Sequence, residues 1–445
     1  MTPAEETTHK RFIERVYVEG LFGQFDHDLN FGDRRPSDPN LLILYGENGT
    51  GKTTLLWLMY HLLNKEGGRG HRSYLAGHQF KRIEVVFSDD VRMSAVRESA
   101  TSGSFVMKLA RPDAESSSFA YAINKEGKIP SSISAVKEHQ EFIECLPAFN
   151  FGFLPHDRST RIHSAKGDRG VADPRAALGH PEPMSPIRSS ITNAIGTARR
   201  QAIMASNQGQ LSVNAIYTEL IRQIALVALT SPESGSDEVR YKLLGRLQEQ
   251  ARVTQQYSKF GLISELQVEG LLETLKTMPP NRLSIVDKVL EPFLRGNEAR
   301  LEALNALYIA LTTTVETINS LYLHKQITLD LAGGVSISTP GGTLQPEQLS
   351  SGEQELLILF CEVISALRPD TMLFIDEPEL SLNVSWQRAL LKALLRCAGG
   401  STVQFVIATH SIELLANHRS NVVRLSNQVS TGAAPPGSPV EQVSG

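Results

Sequence analysis

Cysteine is scarce in this chain: only three occur, Cys145, Cys361 and Cys397, far apart and without CxxC spacing. That pattern excludes a disulfide framework or a zinc knuckle and leaves buried thiols in a reducing cytoplasm as the expectation. Long apolar runs are missing as well. The richest stretch, Leu356 to Leu367, is broken by Glu362, and the opening residues have no apolar centre of signal-peptide type. A membrane span and a secretory leader are therefore not expected. An excess of positive charge is absent too, since 44 Lys and Arg face 48 Asp and Glu for a net charge of -4. Any contact with nucleic acid must then be local. No HEXXH motif or clustered His and Cys set offers a metal-nuclease centre.

What remains is a globular composition, 41% hydrophobic and 21% charged over 445 residues, enough for two or three domains. Phe12 to Val18 and Leu41 to Leu44 read as strands, the second a continuous apolar run that leads into glycines, and Lys52 to Leu63 reads as a helix. Alternating segments at Arg82 to Phe87, Phe105 to Leu109 and Phe119 to Ile123 predict a small antiparallel sheet, and Ala148 to Leu154 another apolar strand. From His156 to Arg200 the composition turns to Arg, Ser, Gly, Pro and His, which reads as a solvated loop or as a surface for phosphate, nucleic acid or a partner.

Between Ser212 and Leu323 the period becomes helical. Leu301, Leu304, Tyr308, Leu311, Val315, Ile318 and Tyr322 form a heptad seam, so one helix face wants a partner, inside this domain or on another chain. Pro292 and Gly296 predict a kink or turn just before it. The segment is too short for a long coiled-coil arm. Beyond it, Ile327 to Leu331 and Val335 to Ser338 predict a hairpin. Strands at Met372 to Ile375 and Val403 to Ile407 alternate with helices, as in a parallel α/β layer, and a Pro-rich tail follows from Asn427.

Three motifs carry chemistry. Gly46-Glu47-Asn48-Gly49-Thr50-Gly51-Lys52-Thr53 has the GxxxxGK[ST] spacing, between an apolar strand and a helix. Its glycines let backbone N–H groups, with those of Lys52, Thr53 and Thr54 at the helix start, face the phosphates of ATP or GTP. Lys52 should reach the β and γ phosphates, and Thr53 should ligate Mg²⁺. Met372 to Glu377 is an apolar strand ending in two carboxylates, which assigns Asp376 to Mg²⁺ and Glu377 to the attacking water. Ser350-Ser351-Gly352-Glu353 opens a helix, so Ser350 can cap it and the helix end forms a second anion site.

With Leu349 to Glu353 in place, the sequence resembles the ABC ATPase superfamily, whose signature motif grips the γ-phosphate held by the opposite subunit. The resemblance implies ATP rather than GTP, makes Ser381-Leu382-Asn383 the D-loop and makes His410 the switch histidine. Asn383 departs from the Asp or His common there. Gln79 and the strand end at Asp157-Arg158 compete as the Q-loop, and Phe22 or Phe25 would stack on adenine. Asp376 to Leu382, Trp386-Gln387 and LSSGEQE resemble the soluble branch that holds OLD proteins, SMC-like repair ATPases and the ATPases of bacterial antiphage systems. Gly68 to Leu75 and FLPHDR look most like the PARIS systems, then Septu.

The implied fold is an α/β ABC-ATPase head with an antiparallel β subdomain and a helical insertion. Its expected divisions are an N-terminal lobe at 1–178, the insertion at 179–325, a C-terminal lobe at 326–426 and a tail at 427–445. The implied function is an ATP-dependent switch that forms an ATP-sandwich homodimer in the cytoplasm. It would sense a phage component and control a separate effector, a TOPRIM or HNH nuclease. An SMC-like repair ATPase that binds DNA is the alternative, and the energy subunit of an importer a third.

Overall fold

In the computed structural model of the chain, the described residues are 11–31, 38–65, 70–98, 101–125, 129–157, 162–164, 184–205 and 237–425. Strands β1 (Ile13–Leu21) and β2 (Phe25–Asn30) precede β3 (Leu41–Tyr45), which feeds helices α1 (Lys52–Leu63) and α2 (His71–Gly77). Next come β4 (Arg82–Phe87), β5 (Arg92–Val96), β6 (Phe105–Arg111), β7 (Ala114–Tyr121), α3 (Lys137–Cys145), β8 (Asn150–Leu154) and β9 (Ile162–Ser164). Residues 186–205 form a helix, α4. The helical region continues with α5 (Asp237–Ser258), α6 (Glu269–Thr277) and α7 (Pro280–Leu321). The rest comprises β10 (Gln326–Asp330), β11 (Gly334–Thr339), β12 (Gly342–Leu344), α8 (Ser351–Ala366), β13 (Thr371–Asp376), α9 (Val384–Cys397), β14 (Gln404–Thr409), α10 (Ile412–Leu415) and β15 (Val422–Arg424).

The central sheet has the order β15-β3-β14-β13-β8-β9 and is parallel except where β9 returns along β8. Strands from both ends of the sequence build it, with β3 inserted between β15 and β14 and β8 beside β13, so neither half can complete the sheet alone. β13 and β14 are buried along their whole length, which is why they read as unbroken apolar runs rather than alternating ones. Leu42, Leu44, Phe151, Phe153, Phe374 and Val406 pack one face against α1 and the antiparallel sheet. Leu41, Ile43, Leu154, Leu373, Ile375 and Ile407 pack the other against α7, α8 and α9. Helix α1 is thus enclosed between two sheets. Gly152 is fixed by that packing, because a Cβ there would lie 2.7 Å from Leu373 Cδ1.

The antiparallel sheet runs β2-β1-β4-β5-β6-β7. Two of its strands were not read from the sequence. β2 is FDHDLN, too polar for an apolar template, and its pairing with β1 supplies the order that its side chains do not. β5 is RMSAV, short and weakly patterned between β4 and β6. The hairpin after α7 is present and gains a third strand, β12.

Two expectations for the middle of the chain are corrected. Residues 186–205 are helix, not loop, and Ser190 on this helix donates to buried Glu362 of α8 across 2.8 Å. Arg158, Arg161, Lys166, Arg169 and Arg175 lie outside the described residues, as do residues 212–236 and the tail from Asn427. A turn near Pro292 is also overturned: α7 runs as one helix of 42 residues with Pro292 inside it. Proline removes one backbone bond there, and a polar ladder from α5 braces the helix on both sides of the gap. Arg246 pairs with Glu291 and with Glu298, Gln250 donates to the Leu294 carbonyl across 3.0 Å, and Asn297 donates to Gln250 across 2.9 Å.

The heptad seam finds its partners inside the chain. Leu304, Leu311 and Ile318 are buried with residues of α8 and α9 in one core. The amino-terminal half of α7 joins a separate small core, in which Leu283 and Leu294 meet Leu243 and Leu247 of α5 and Leu275 of α6.

Candidate nucleotide-binding site

The loop between β3 and α1 turns on two left-handed glycines, Gly49 (φ 84°) and Gly51 (φ 86°). Gly51 is required twice over, since a Cβ would lie 2.8 Å from Leu21 Cδ2 and 3.1 Å from Phe22 Cε2. At Gly46 a Cβ would lie 2.7 Å from Thr50 Oγ1, which itself donates to the Glu47 carbonyl across 2.8 Å. Lys52 is buried, and its Nζ donates to the carbonyls of Gly46 and Glu47 across 2.8 and 2.9 Å. The cation therefore sits against the loop that would wrap the phosphates. Asn48 is exposed on the loop crest, and Thr54 follows on the first turn of α1. The backbone N–H groups of Lys52, Thr53 and Thr54 precede the first i→i−4 bond of the helix, made by Leu55 to Gly51 across 2.8 Å.

Asp376 closes β13 with 1% exposure, and Thr53 Oγ1 donates to its Oδ2 across 2.7 Å. A hydroxyl and a carboxylate brought together are hard oxygen donors, which suits Mg²⁺. Glu377 follows in a left-handed conformation (φ 47°), held by its N–H donating to the Ala408 carbonyl across 2.9 Å. A non-glycine residue in that region costs about 1–3 kcal/mol and is seen where a site demands it. The turn aims the Glu377 carboxylate at His410, whose Nδ1 lies 3.2 Å from Oε1.

Glu379 was not singled out in the sequence and proves central. It is buried, and its Oε1 accepts from Thr409 Oγ1 across 2.6 Å and from the His410 N–H across 3.0 Å. It thereby locks the histidine loop to the carboxylate loop. The signal was there in DEPE, where a second carboxylate follows the pair. His156, just beyond β8, is the other missed residue, with Nδ1 3.8 Å from Asp376 Oδ2. The Gln79 carbonyl accepts from the Phe22 N–H across 3.1 Å. Of the two aromatic candidates, Phe22 is 40% exposed and borders Gly51, whereas Phe25 stacks on His27.

The signature segment is built separately. Ser350 caps α8 in a capping box with Glu353, whose Oε2 accepts from the Ser350 N–H and Oγ, each across 2.8 Å. Lys325 Nζ donates to Glu353 Oε1 across 2.6 Å, and Tyr322 Oη donates to the Glu353 carbonyl across 2.5 Å. Burial opposes ionisation of Glu353, but the Lys325 and Ser350 bonds overcome it and hold its pKa below the ordinary value. The Glu353 carboxylate is thus engaged within the chain, while Ser350 and Ser351 are exposed. A Cβ on Gly352 would lie 2.5 Å from the Ser381 carbonyl, so the expected D-loop at Ser381 packs directly on the start of α8. Asn383 serves as the N-cap of α9, accepting from the Trp386 N–H across 3.0 Å.

No described helix is long and apolar enough to cross a membrane. Residues 337–416 match the domain family described as "AAA domain, putative AbiEii toxin, Type IV TA system". The chain is 31% identical over 115 residues to the dipeptide transport ATP-binding protein DppD of Escherichia coli (strain K12), and equally to that of Shigella flexneri. These alignments cover 25% of this chain, which spans about a third (34%) of the length of the curated relatives it matches. Among solved structures, the chain is similar to the Smc head domain with an extended coiled coil bound to the C-terminal domain of ScpA, from Pyrococcus furiosus (TM-score 0.37, 14% identity, 92% of each chain). A second is the Smc head domain with a coiled coil and joint from Pyrococcus yayanosii (TM-score 0.35, 13% identity, 92% of this chain and 94% of that one). The glycine loop after β3, the carboxylate pair at the end of β13 and the histidine after β14 lie on a mostly parallel sheet flanked by helices and an antiparallel sheet, which makes the chain an α/β fold.

Proposed function

We propose that this chain is an ATP-binding and ATP-hydrolysing switch subunit, in which two copies sandwich two ATP molecules and hydrolysis separates them. The observation that carries the reading is the convergence of Thr53, Asp376, Glu377 and His410 at one edge of one sheet. Lys52 and the α1 N-terminus would bind the β and γ phosphates, and exposed Phe22 would stack on the adenine. Thr53 and Asp376 would hold Mg²⁺, which would offset the negative charge of the phosphates. Glu377 would take the proton of the attacking water, with His410 orienting its carboxylate. Exposed Ser350 and Ser351, at the amino end of α8, would complete the site of the second copy.

The test is complementation. Lys52→Ala should abolish nucleotide binding and Ser350→Ala should keep binding but lose turnover. A mixture of the two should regain up to about a quarter to a half of wild-type activity, because mixed dimers carry one intact composite site. If the mixture stays inactive while both variants fold and exchange subunits, the sandwich is wrong.

The output we assign is control of a separate effector, a TOPRIM or HNH nuclease, in response to a phage component. The resemblance of DEPELSL and LSSGEQE to antiphage ATPases supports it, and a matched domain family whose description names a toxin–antitoxin system fits the same setting. Affinity capture of tagged protein from its native host, with and without Glu377→Gln, tests this assignment. Enrichment of a nuclease encoded beside it supports the assignment, and a permease or a repair nuclease instead would redirect it. The DNA-clamp reading is weakened by where the described arginines of the basic stretch point. Arg188 pairs with Glu347, Arg199 donates to the carbonyls of Leu331 and Ala332, and Arg200 donates to Thr197.

A further inference from the structure

The geometry points to His156 as a nitrogen ligand at the divalent-metal corner of the nucleotide site, one that makes this corner take Mn²⁺ in preference to Mg²⁺. β8 runs parallel beside β13 with Leu154 level with Ile375. The residues that follow therefore leave the sheet at the same edge as Asp376 and Glu377. His156 Nδ1 comes to 3.8 Å from Asp376 Oδ2, the oxygen that also accepts from Thr53. That separation exceeds a hydrogen bond, so the pair is not an imidazole held in place by a carboxylate. Neighbouring ligands around an octahedral ion with bonds of about 2.1 Å lie about 3 Å apart, and opposite ones about 4 Å apart. The spacing of Nδ1 and Oδ2, 3.8 Å, falls between these limits.

The side chain of His156 is 57% exposed. It does not fill a core. A neutral imidazole is a poor ligand for Mg²⁺, which favours oxygen, and a better one for Mn²⁺ and the later divalent metals. Thr53 and Asp376 alone would describe an all-oxygen magnesium corner. The third donor changes that preference.

This inference rests on the ATPase reading, and its test separates the two. The full-length chain is loaded with Mn²⁺ and a non-hydrolysable ATP analogue and examined by pulsed EPR for the nitrogen modulation of a coordinated imidazole. Wild type and His410→Ala should show the modulation, and His156→Ala should lose it while keeping the wild-type melting temperature and bound nucleotide. Competition between the ions should show the Mn²⁺ over Mg²⁺ preference falling about tenfold in His156→Ala. Bound Mn²⁺–nucleotide without nitrogen modulation in wild type would overturn the inference alone. So would modulation that survives in His156→Ala and vanishes in His410→Ala. If wild type binds Mn²⁺–nucleotide no better than Lys52→Ala, the ATPase reading falls with it.

Discussion

The hydroxyl of Thr53 donates to Oδ2 of Asp376 across 2.7 Å, joining the first turn of α1 to the end of a strand on the far side of β14. Because Asp376 is buried, this bond both gives its Oδ2 a donor and pre-forms a pair of oxygen ligands. Thr53→Ala removes one ligand and leaves the carboxylate short of a donor. The expected cost is about 1–3 kcal/mol of stability, read as a lowered melting temperature. Binding of ATP with Mg²⁺ should weaken about 10–100-fold, whereas binding in EDTA should change little. Calorimetric titration under both conditions distinguishes the two, and equal losses in each would place Thr53 on the phosphate instead.

Glu377 reaches its position through a left-handed backbone that its Ala408 bond maintains, and its carboxylate faces His410. Glu377→Gln keeps shape and hydrogen bonding but cannot take a proton. Turnover should fall about 10²–10⁴-fold with ATP affinity retained, and the ATP-bound dimer should accumulate in light scattering. Unchanged phosphate release in this variant would remove the general-base assignment. Glu379→Gln should act differently, loosening the His410 loop through Thr409 and costing stability as well as rate.

Lys325 and Tyr322 tie the end of α7 to the signature helix through Glu353. A movement of α7 would therefore shift Ser350, and a change at Ser350 would be felt along the helix. Lys325→Met deprives a mostly buried carboxylate of its cation, at a cost of about 1–3 kcal/mol. The variant should still bind ATP through its intact phosphate loop. It should fail to supply Ser350 to a partner, so that mixing it with Ser350→Ala, whose phosphate loop is intact, restores no activity, whereas mixing Lys52→Ala with Ser350→Ala does. Recovery equal to that of wild-type signature donors would show that the tie is structural only.

Gly352 makes a sharper probe of the same region. Its missing Cβ lets the Ser381 carbonyl approach, so Gly352→Ala must push apart the signature and the D-loop. Melting temperature and partner supply should both fall, with nucleotide binding to the variant's own phosphate loop retained.

The sequence made the chemical core readable because its motifs are local. A strand, a glycine loop and a helix follow one another at Leu41 to Leu63, and the strand carrying Asp376 and Glu377 is unbroken and apolar. What it hid was set by partners distant in the chain. β2 is polar and is ordered by β1. α4 looked like loop because charge and glycine dominate the residues before it, yet Ser190 of this helix meets Glu362 of α8. Pro292 is a helix breaker by local rules, and only the ladder from Arg246 and Gln250 explains an unbroken α7. His156 and Glu379 escaped notice for a related reason, since their roles depend on which strands lie side by side.

A pH dependence should arise beneath the phosphate-loop helix. His61, in the last turn of α1, is buried with its Nδ1 2.8 Å from Nδ1 of His71 and its ring stacked on Tyr74. Burial lowers its pKa to about 3, and the nearby charges of His71, Arg72 and His78 push the same way. The unfolded chain, with an ordinary histidine, binds a proton that the folded one refuses. Stability from this group is therefore complete above the unfolded value of about 6.5 and is lost as pH falls towards the folded value. Between pH 6.5 and 5 the loss should be about 2 kcal/mol. Urea unfolding across that range should show the slope in wild type. His61→Gln should be less stable at pH 7.5, having lost the ring stack, yet its stability should fall less steeply as the solution is acidified. An equal slope in both proteins would assign the acid sensitivity to other buried histidines such as His27 and His139, whose pKa values burial also lowers.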